Sequence, residues 1–152
     1  MKKQTQKNQT IPQHIRDNII FVDTSAYFAL IYEKDGNHEK ARNFLELAEK
    51  HKLILLTSNF IIAETHVLIL RTPSLGYRIA KFFLEDIRTT LNKPERITEE
   101  DEERAFEIIT KYSDKYFTYT DATSFALMER LGIKRVFTFD NHYNQYGFQK
   151  VP

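Results

Sequence analysis

The chain has 152 residues, with 22 Lys plus Arg against 21 Asp plus Glu, 41% hydrophobic residues and no cysteine. That length fits one domain with its own core, and the composition excludes wholesale disorder, a disulfide framework, a thiolate metal site and a cysteine nucleophile. The net charge of +1 is uneven, +3 over residues 1–18 and −2 over residues 19–152, and so small a balance makes no whole-molecule case for a nucleic-acid ligand.

Residues 1–18, rich in Gln, Lys, Thr and Asn, read as a flexible basic tail ahead of a single domain over residues 19–152. No apolar run reaches the ~18–20 residues that cross a bilayer. The opening MKKQTQK also lacks the apolar stretch of a secretory signal, so a soluble, cytoplasmic protein without a membrane partner is expected.

Ile19-Ile20-Phe21-Val22 is a continuous, β-branched apolar run, the pattern of a strand buried on both faces, and it ends at Asp23. A helix starts at Thr24 or Ser25, and a second, from about His38 to Lys50, carries Ala41, Phe44, Leu45 and Ala48 on one face. Leu53 to Thr57 is the next strand, closed by Ser58-Asn59. The helix from about Phe60 to Leu70 carries Glu64 on its second turn and stops near Thr72-Pro73, because proline disfavours a helical residue before it. Leu75, Ile79, Phe82 and Phe83 mark a helix running toward Leu91-Asn92. Thr98-Glu99-Glu100-Asp101 is a helix N-terminus with acids in the first turn. Thr120-Asp121 opens the last long helix, which closes at Gly132 as C-cap, and Val136 to Phe139 is a third strand ending at Asp140. Phe148 to Val151 is a candidate fourth. Apolar strands separated by amphipathic helices imply an α/β/α sandwich around a parallel sheet of four or five strands.

In such a sheet the functional crevice lies beyond the carboxyl ends of the strands. Asp23 and Asp140 sit there directly, and Glu64 and Asp121 ride on helices leaving the same edge. Each aspartate also has a plainer reading as a helix cap, and Glu64 one as a solvated helix position. Together, however, carboxylates crowded in one cleft repel, so either cations sit beside them or some are protonated. Without cysteine, an oxygen-seeking Mg²⁺ or Mn²⁺ suits such a shell, and two such ions about 3.5–4 Å apart support phosphodiester hydrolysis by activated water. Two divalent cations would turn the body's −2 into +2.

The strings FVDTSAYFAL, SNFIIAETHVLI, YTDATSFALMERLGI and RVFTFDNHYNQYGF, around Asp23, Glu64, Asp121 and Asp140, resemble those of the PIN-domain ribonucleases, and most closely the VapC-type toxins of toxin–antitoxin pairs. The resemblance runs from Ile19 to Val151 in the family's order. It implies a PIN-like fold and a Mg²⁺- or Mn²⁺-dependent endoribonuclease whose catalytic and metal-binding residues are Asp23, Glu64, Asp121 and Asp140. It also implies hydroxyl support from Thr24 and Thr138, an RNA substrate, a cognate antitoxin and a homodimer. The alternatives are a non-catalytic module of the same fold that binds RNA or protein, and a nuclease directed at DNA flaps.

Other residues invite a role. His66, two positions from Glu64, points about 160° away around the helix and is a poor co-ligand. His142 suits a ligand or phosphate contact, although loop polarity also accounts for it, and Asp114 reads as a turn former. Phe44, Phe82, Phe83, Phe106 and Phe125 are core by their spacing, whereas the tyrosines of KYSDKYFTYT, with Tyr143 and Tyr146, are candidates to stack on RNA bases. Arg71, Arg78, Lys81 and Arg88 are candidates for an RNA-facing helix, although a solvated face accounts for most of them.

Overall fold

In the computed structural model, which describes residues 12–89 and 94–152, strand β1 (Ile19–Val22) is buried at all four positions. It pairs in parallel with β2 (Ile54–Leu56) on one side and β3 (Arg135–Phe137) on the other, and β3 pairs in parallel with β4 (Gln149–Val151), giving the order β2-β1-β3-β4. Phe21 stands opposite Leu56 and Val136. β2 is an edge strand and only partly covered, which is why its apolar run does not make it a buried one.

Side-chain alternation along β1 splits the core in two. Ile19 and Phe21 join Val136 and the inner faces of α6 (Glu99–Lys111) and α7 (Tyr119–Leu131), while Ile20 and Val22 join Phe137 and the inner faces of α2 (Thr24–Ile31) and α3 (His38–Lys50). Helices thus cover both faces of the sheet, as expected of an α/β/α sandwich. Each large side chain fully buried this way contributes about 1.5–3 kcal/mol. Between β2 and α6, α4 (Asn59–Arg71) and α5 (Gly76–Thr89) pack as a hairpin around Ile69, Ala80 and Phe83.

Several expectations shift. Phe82 and Phe106 are not core: they are 63% and 68% exposed. On each helix the neighbouring residue, Phe83 or Ala105, takes the inward position, and one residue further is ~100° around the axis. Residues Gln13–Arg16, drawn within the tail by the sequence, form a helical turn, α1; Arg16 lies against Gly132, and Arg135 donates to the carbonyl of Asp17. The rest of the tail expectation, residues 1–11, and the run of α5 to Leu91-Asn92 lie outside the described residues.

The chain leaves β1 for β2 on one side and later enters β3 on the other, so the strand order reverses between β1 and β3. Crossovers diverging there open a crevice at the carboxyl ends of those two strands, the place where open α/β sheets bind ligands.

Candidate active site

Asp23 begins the site because β1 ends there and α2 begins. Its Oδ2 caps α2 by accepting from the Ser25 amide at 3.3 Å, and also accepts the hydroxyls of Ser25 at 2.9 Å and Thr138 at 2.8 Å. Its Oδ1 accepts the phenol of Tyr143 at 3.0 Å. The residue is 5% exposed, and burial pushes its pKa up against the opposing pull of those donors, first among them Thr138.

The same hydroxyls stitch the two strand ends together. Ser25 Oγ accepts the amide of Phe139 at 2.9 Å, and Thr138 Oγ1 accepts the amide of Asp140 at 3.0 Å. Asp23 and Asp140 are therefore held through one threonine.

Glu64 reaches the crevice from α4, whose start is fixed by Ser58 accepting from the Ile61 amide at 3.1 Å. Thr24, the first residue of α2, donates its hydroxyl to Glu64 Oε2. The solvated position that helix spacing allowed for Glu64 is thus not the observed one. Burial raises its pKa first, and the charges of Asp23 and Asp121 raise it further. Asp121 sits on the first turn of α7 in a capping box: its Oδ2 accepts the Thr118 amide at 2.8 Å, and its own amide donates to Thr118 Oγ1 at 3.1 Å. Capping and convergence are not alternatives here, since Asp23 and Asp121 do both.

Asp140 follows β3 and leads into α8 (His142–Tyr146), accepting the His142 amide on Oδ1 at 2.9 Å. The His142 imidazole donates from Nδ1 to Asp121 Oδ2 at 3.0 Å and stands 3.6 Å from Asp140 Oδ2. One ligand atom from each of Asp121, Asp140 and His142 lies within 4.8 Å of the others, a grouping able to hold a metal ion. Sequence reading left His142 between ligand and loop polarity; the signal was its position two residues past a strand-end acid.

Tyr143 requires a correction. Named among the candidates to stack on RNA, it is 0% exposed, packed edge-on against Phe125 and committed to Asp23. Tyr146 is also turned inward, stacked on Phe125 with its hydroxyl on Glu129 at 2.6 Å. The i, i+3 spacing of Tyr143 and Tyr146 was a signal that both face the core. Ser25, read only as a cap, is a second residue whose role at Asp23 the sequence understated.

Beside Glu64 and Thr24 runs an open groove of about 780 Å³, lined further by Phe60, Val67, Leu68, Arg71 and Tyr119. His66 lines a different groove on α4, as its angular offset requires, and Asp114 is in an exposed loop beside Lys115. Lys81 is engaged with Glu85 one helical turn on.

The family model for the PIN domain matches residues 20–149. The 23S rRNA-specific endonuclease VapC20 of Mycobacterium tuberculosis is 32% identical over 133 residues, covering 88% of this chain and 98% of that protein. The crystal structure of VapC20, a sarcin–ricin loop cleaving toxin, superposes with a TM-score of 0.77 at 31% identity over 85% of this chain and 95% of that one. FitAcB from Neisseria gonorrhoeae, at 15% identity, shares the fold with a TM-score of 0.64 over 88% of this chain and 96% of that one.

Proposed function

The chain belongs to the PIN-domain family, and from that premise we propose that it is an endoribonuclease, dependent on Mg²⁺ or Mn²⁺, that hydrolyses RNA phosphodiester bonds as the toxin of a toxin–antitoxin pair. The observation that carries this reading is that the charges of Asp23 and Asp121 act on Glu64 at the crevice where the strand order reverses, beside the grouped ligand atoms of Asp121, Asp140 and His142. Among the described residues Glu64 caps no helix, and Thr24 holds its carboxylate inward, which favours a site over a purely structural module.

The donor chemistry fits a hard divalent cation. Carboxylate oxygens dominate, with one imidazole at the edge, and burial plus mutual repulsion raises the pKa of Glu64 and burial that of Asp23. Asp23, Glu64, Asp121 and Asp140 would hold the ions, which when bound supply a low-pKa water and charge stabilisation at the phosphate. The protein's own work is positional. Thr138 and Ser25 fix the Asp23 carboxylate, Thr24 fixes Glu64, the Thr118 box fixes Asp121, and His142 links Asp121 to Asp140.

The groove along α4 then accepts the RNA chain, with Arg71 for phosphate and the rings of Phe60 and Tyr119 for bases. Because a relative of 32% identity is specific for 23S rRNA, ribosomal RNA is the first substrate to offer. Among the described residues no helix is long and apolar enough to cross a membrane, and we assign the protein to the cytoplasm beside its substrate, as a homodimer neutralised by a cognate antitoxin.

The test is cleavage of ribosomal RNA by purified protein with Mg²⁺, with Mn²⁺ and with chelator, alongside single-stranded and flap DNA. Cleavage of RNA that stops in chelator is expected. Equal cutting in chelator overturns the metal requirement, and cutting of flap DNA alone overturns the RNA assignment.

A further inference from the structure

Two consecutive residues of α8 reach two different acids: His142 bonds Asp121, and Tyr143 bonds Asp23. The bonds on Asp23 are unevenly distributed. A carboxylate offers about four lone-pair directions, two on each oxygen. Oδ2 accepts from the Ser25 amide, the Ser25 hydroxyl and the Thr138 hydroxyl, so its capacity is filled by the protein. Among the described residues the donor to Oδ1 is Tyr143, which leaves that oxygen one open direction. The phenol cannot drift, because the side chain is 0% exposed and its ring is held edge-on to Phe125 at 5.1 Å.

We propose that Tyr143 is a positioning residue for the cation site: its hydroxyl sets the plane of the Asp23 carboxylate so that Oδ1, and not Oδ2, is the oxygen presented to a divalent ion. The inference rests on the endoribonuclease reading above and adds a residue to it. Partners that orient a ligating carboxylate typically change metal affinity by about 10–100-fold when removed. A phenol buried only to be satisfied has no such effect.

Tyr143→Phe keeps the ring and its packing and deletes the one donor. Mn²⁺ binding to the RNA-free protein, read by electron paramagnetic resonance of the free ion, is expected to weaken by about tenfold or more. Cleavage should recover as Mn²⁺ is raised, with KM for RNA unchanged. Tyr146→Phe removes a phenol hydroxyl from the same helix, bonded instead to Glu129, and should bind Mn²⁺ like the wild type. p-Aminophenylalanine at position 143, which restores a para donor, should recover affinity, and this arm decides the matter if Tyr143→Phe folds poorly. In an Asp23→Asn background Tyr143→Phe should add nothing further.

Wild-type protein that binds Mn²⁺ and cuts RNA while Tyr143→Phe binds within twofold of it overturns this inference alone. Wild-type protein that takes up no Mn²⁺ overturns both this inference and the metal-dependent function.

Discussion

Thr24 donates its hydroxyl to Glu64 across 40 residues of sequence, joining the first turn of α2 to the second turn of α4 inside the crevice. The bond favours the charged form of a carboxyl that burial and two neighbouring acids push toward protonation. Thr24→Val removes it without changing side-chain shape. A hydrogen bond to a charged group contributes about 1.5–3 kcal/mol, so cleavage at neutral pH should fall by about tenfold or more, with the acid limb of the pH–rate profile displaced to higher pH. Thr24→Ser should restore both, and a profile unmoved by Thr24→Val removes Thr24 from the site.

Asp23→Asn should abolish RNA cleavage, by at least ~100-fold, while leaving the fold intact. Asparagine fits: its carbonyl can take the place of Oδ2 before Ser25 and Thr138, and the Tyr143 hydroxyl can turn to accept from the amide. The variant also deletes a buried charge, so without metal its Tm should equal or exceed that of the wild type. Added Mn²⁺ should raise the wild-type Tm and not the variant's. A variant that still gains from Mn²⁺ would show that Asp23 is dispensable for binding.

Stability against pH should report the same two groups. Asp23 and Glu64 have folded-state pKa values above their ordinary 3.8 and 4.5, so the folded protein holds these protons more tightly than the unfolded chain. Their contribution to stability is therefore fully present below those ordinary values and is lost as pH rises through the raised ones. For metal-free protein, the difference in Tm between wild type and Asp23→Asn should widen in the variant's favour from mildly acid to neutral pH. A gap that narrows over that range contradicts the raised Asp23.

The buried acid on α6 should behave differently. Asp101 is 2% exposed, completes the capping box with Thr98 and receives Arg130 of α7 at 2.8 Å. Arg130→Met leaves that carboxylate buried and unpaired, at a cost of about 2–3 kcal/mol, reduced from the usual range because Arg130 is partly exposed. Tm should drop by roughly 5–10 °C, and cleavage measured well below Tm should be unchanged. Lost activity in a folded variant would tie the α6–α7 joint to the chemistry.

What the sequence carried was local pattern tied to a strong physical rule. The Ile19–Val22 run marks a strand buried on both faces, Thr98 to Asp101 a helix N-terminus that folds as a capping box, and Gly132 a C-cap that takes the left-handed conformation at φ 69°. Asp23 and Asp140 were readable as strand-end acids because a parallel sheet gathers carboxyl ends on one edge. The remaining details depend on partners distant in sequence. Tyr143 meets Asp23 over 120 residues, and nothing nearby in the chain says that its hydroxyl has a carboxylate waiting. Phe82 and Phe106 were misjudged because apolar residues adjacent on a helix compete for one inward position, and periodicity alone does not choose between them.

The bond from Thr138 to Asp23 spans 115 residues and joins the first strand to the third. A ribosome therefore makes Asp23 early and its Thr138 and Tyr143 supports late. A nascent chain that has not yet produced β3 and α8 already carries Asp23, Glu64 and Asp121, but without the two hydroxyls that orient the first of them. For an enzyme proposed to attack RNA of the translation machinery, the order of synthesis places the supports of Asp23 last, so its carboxylate is fully oriented only in a chain extended past α8.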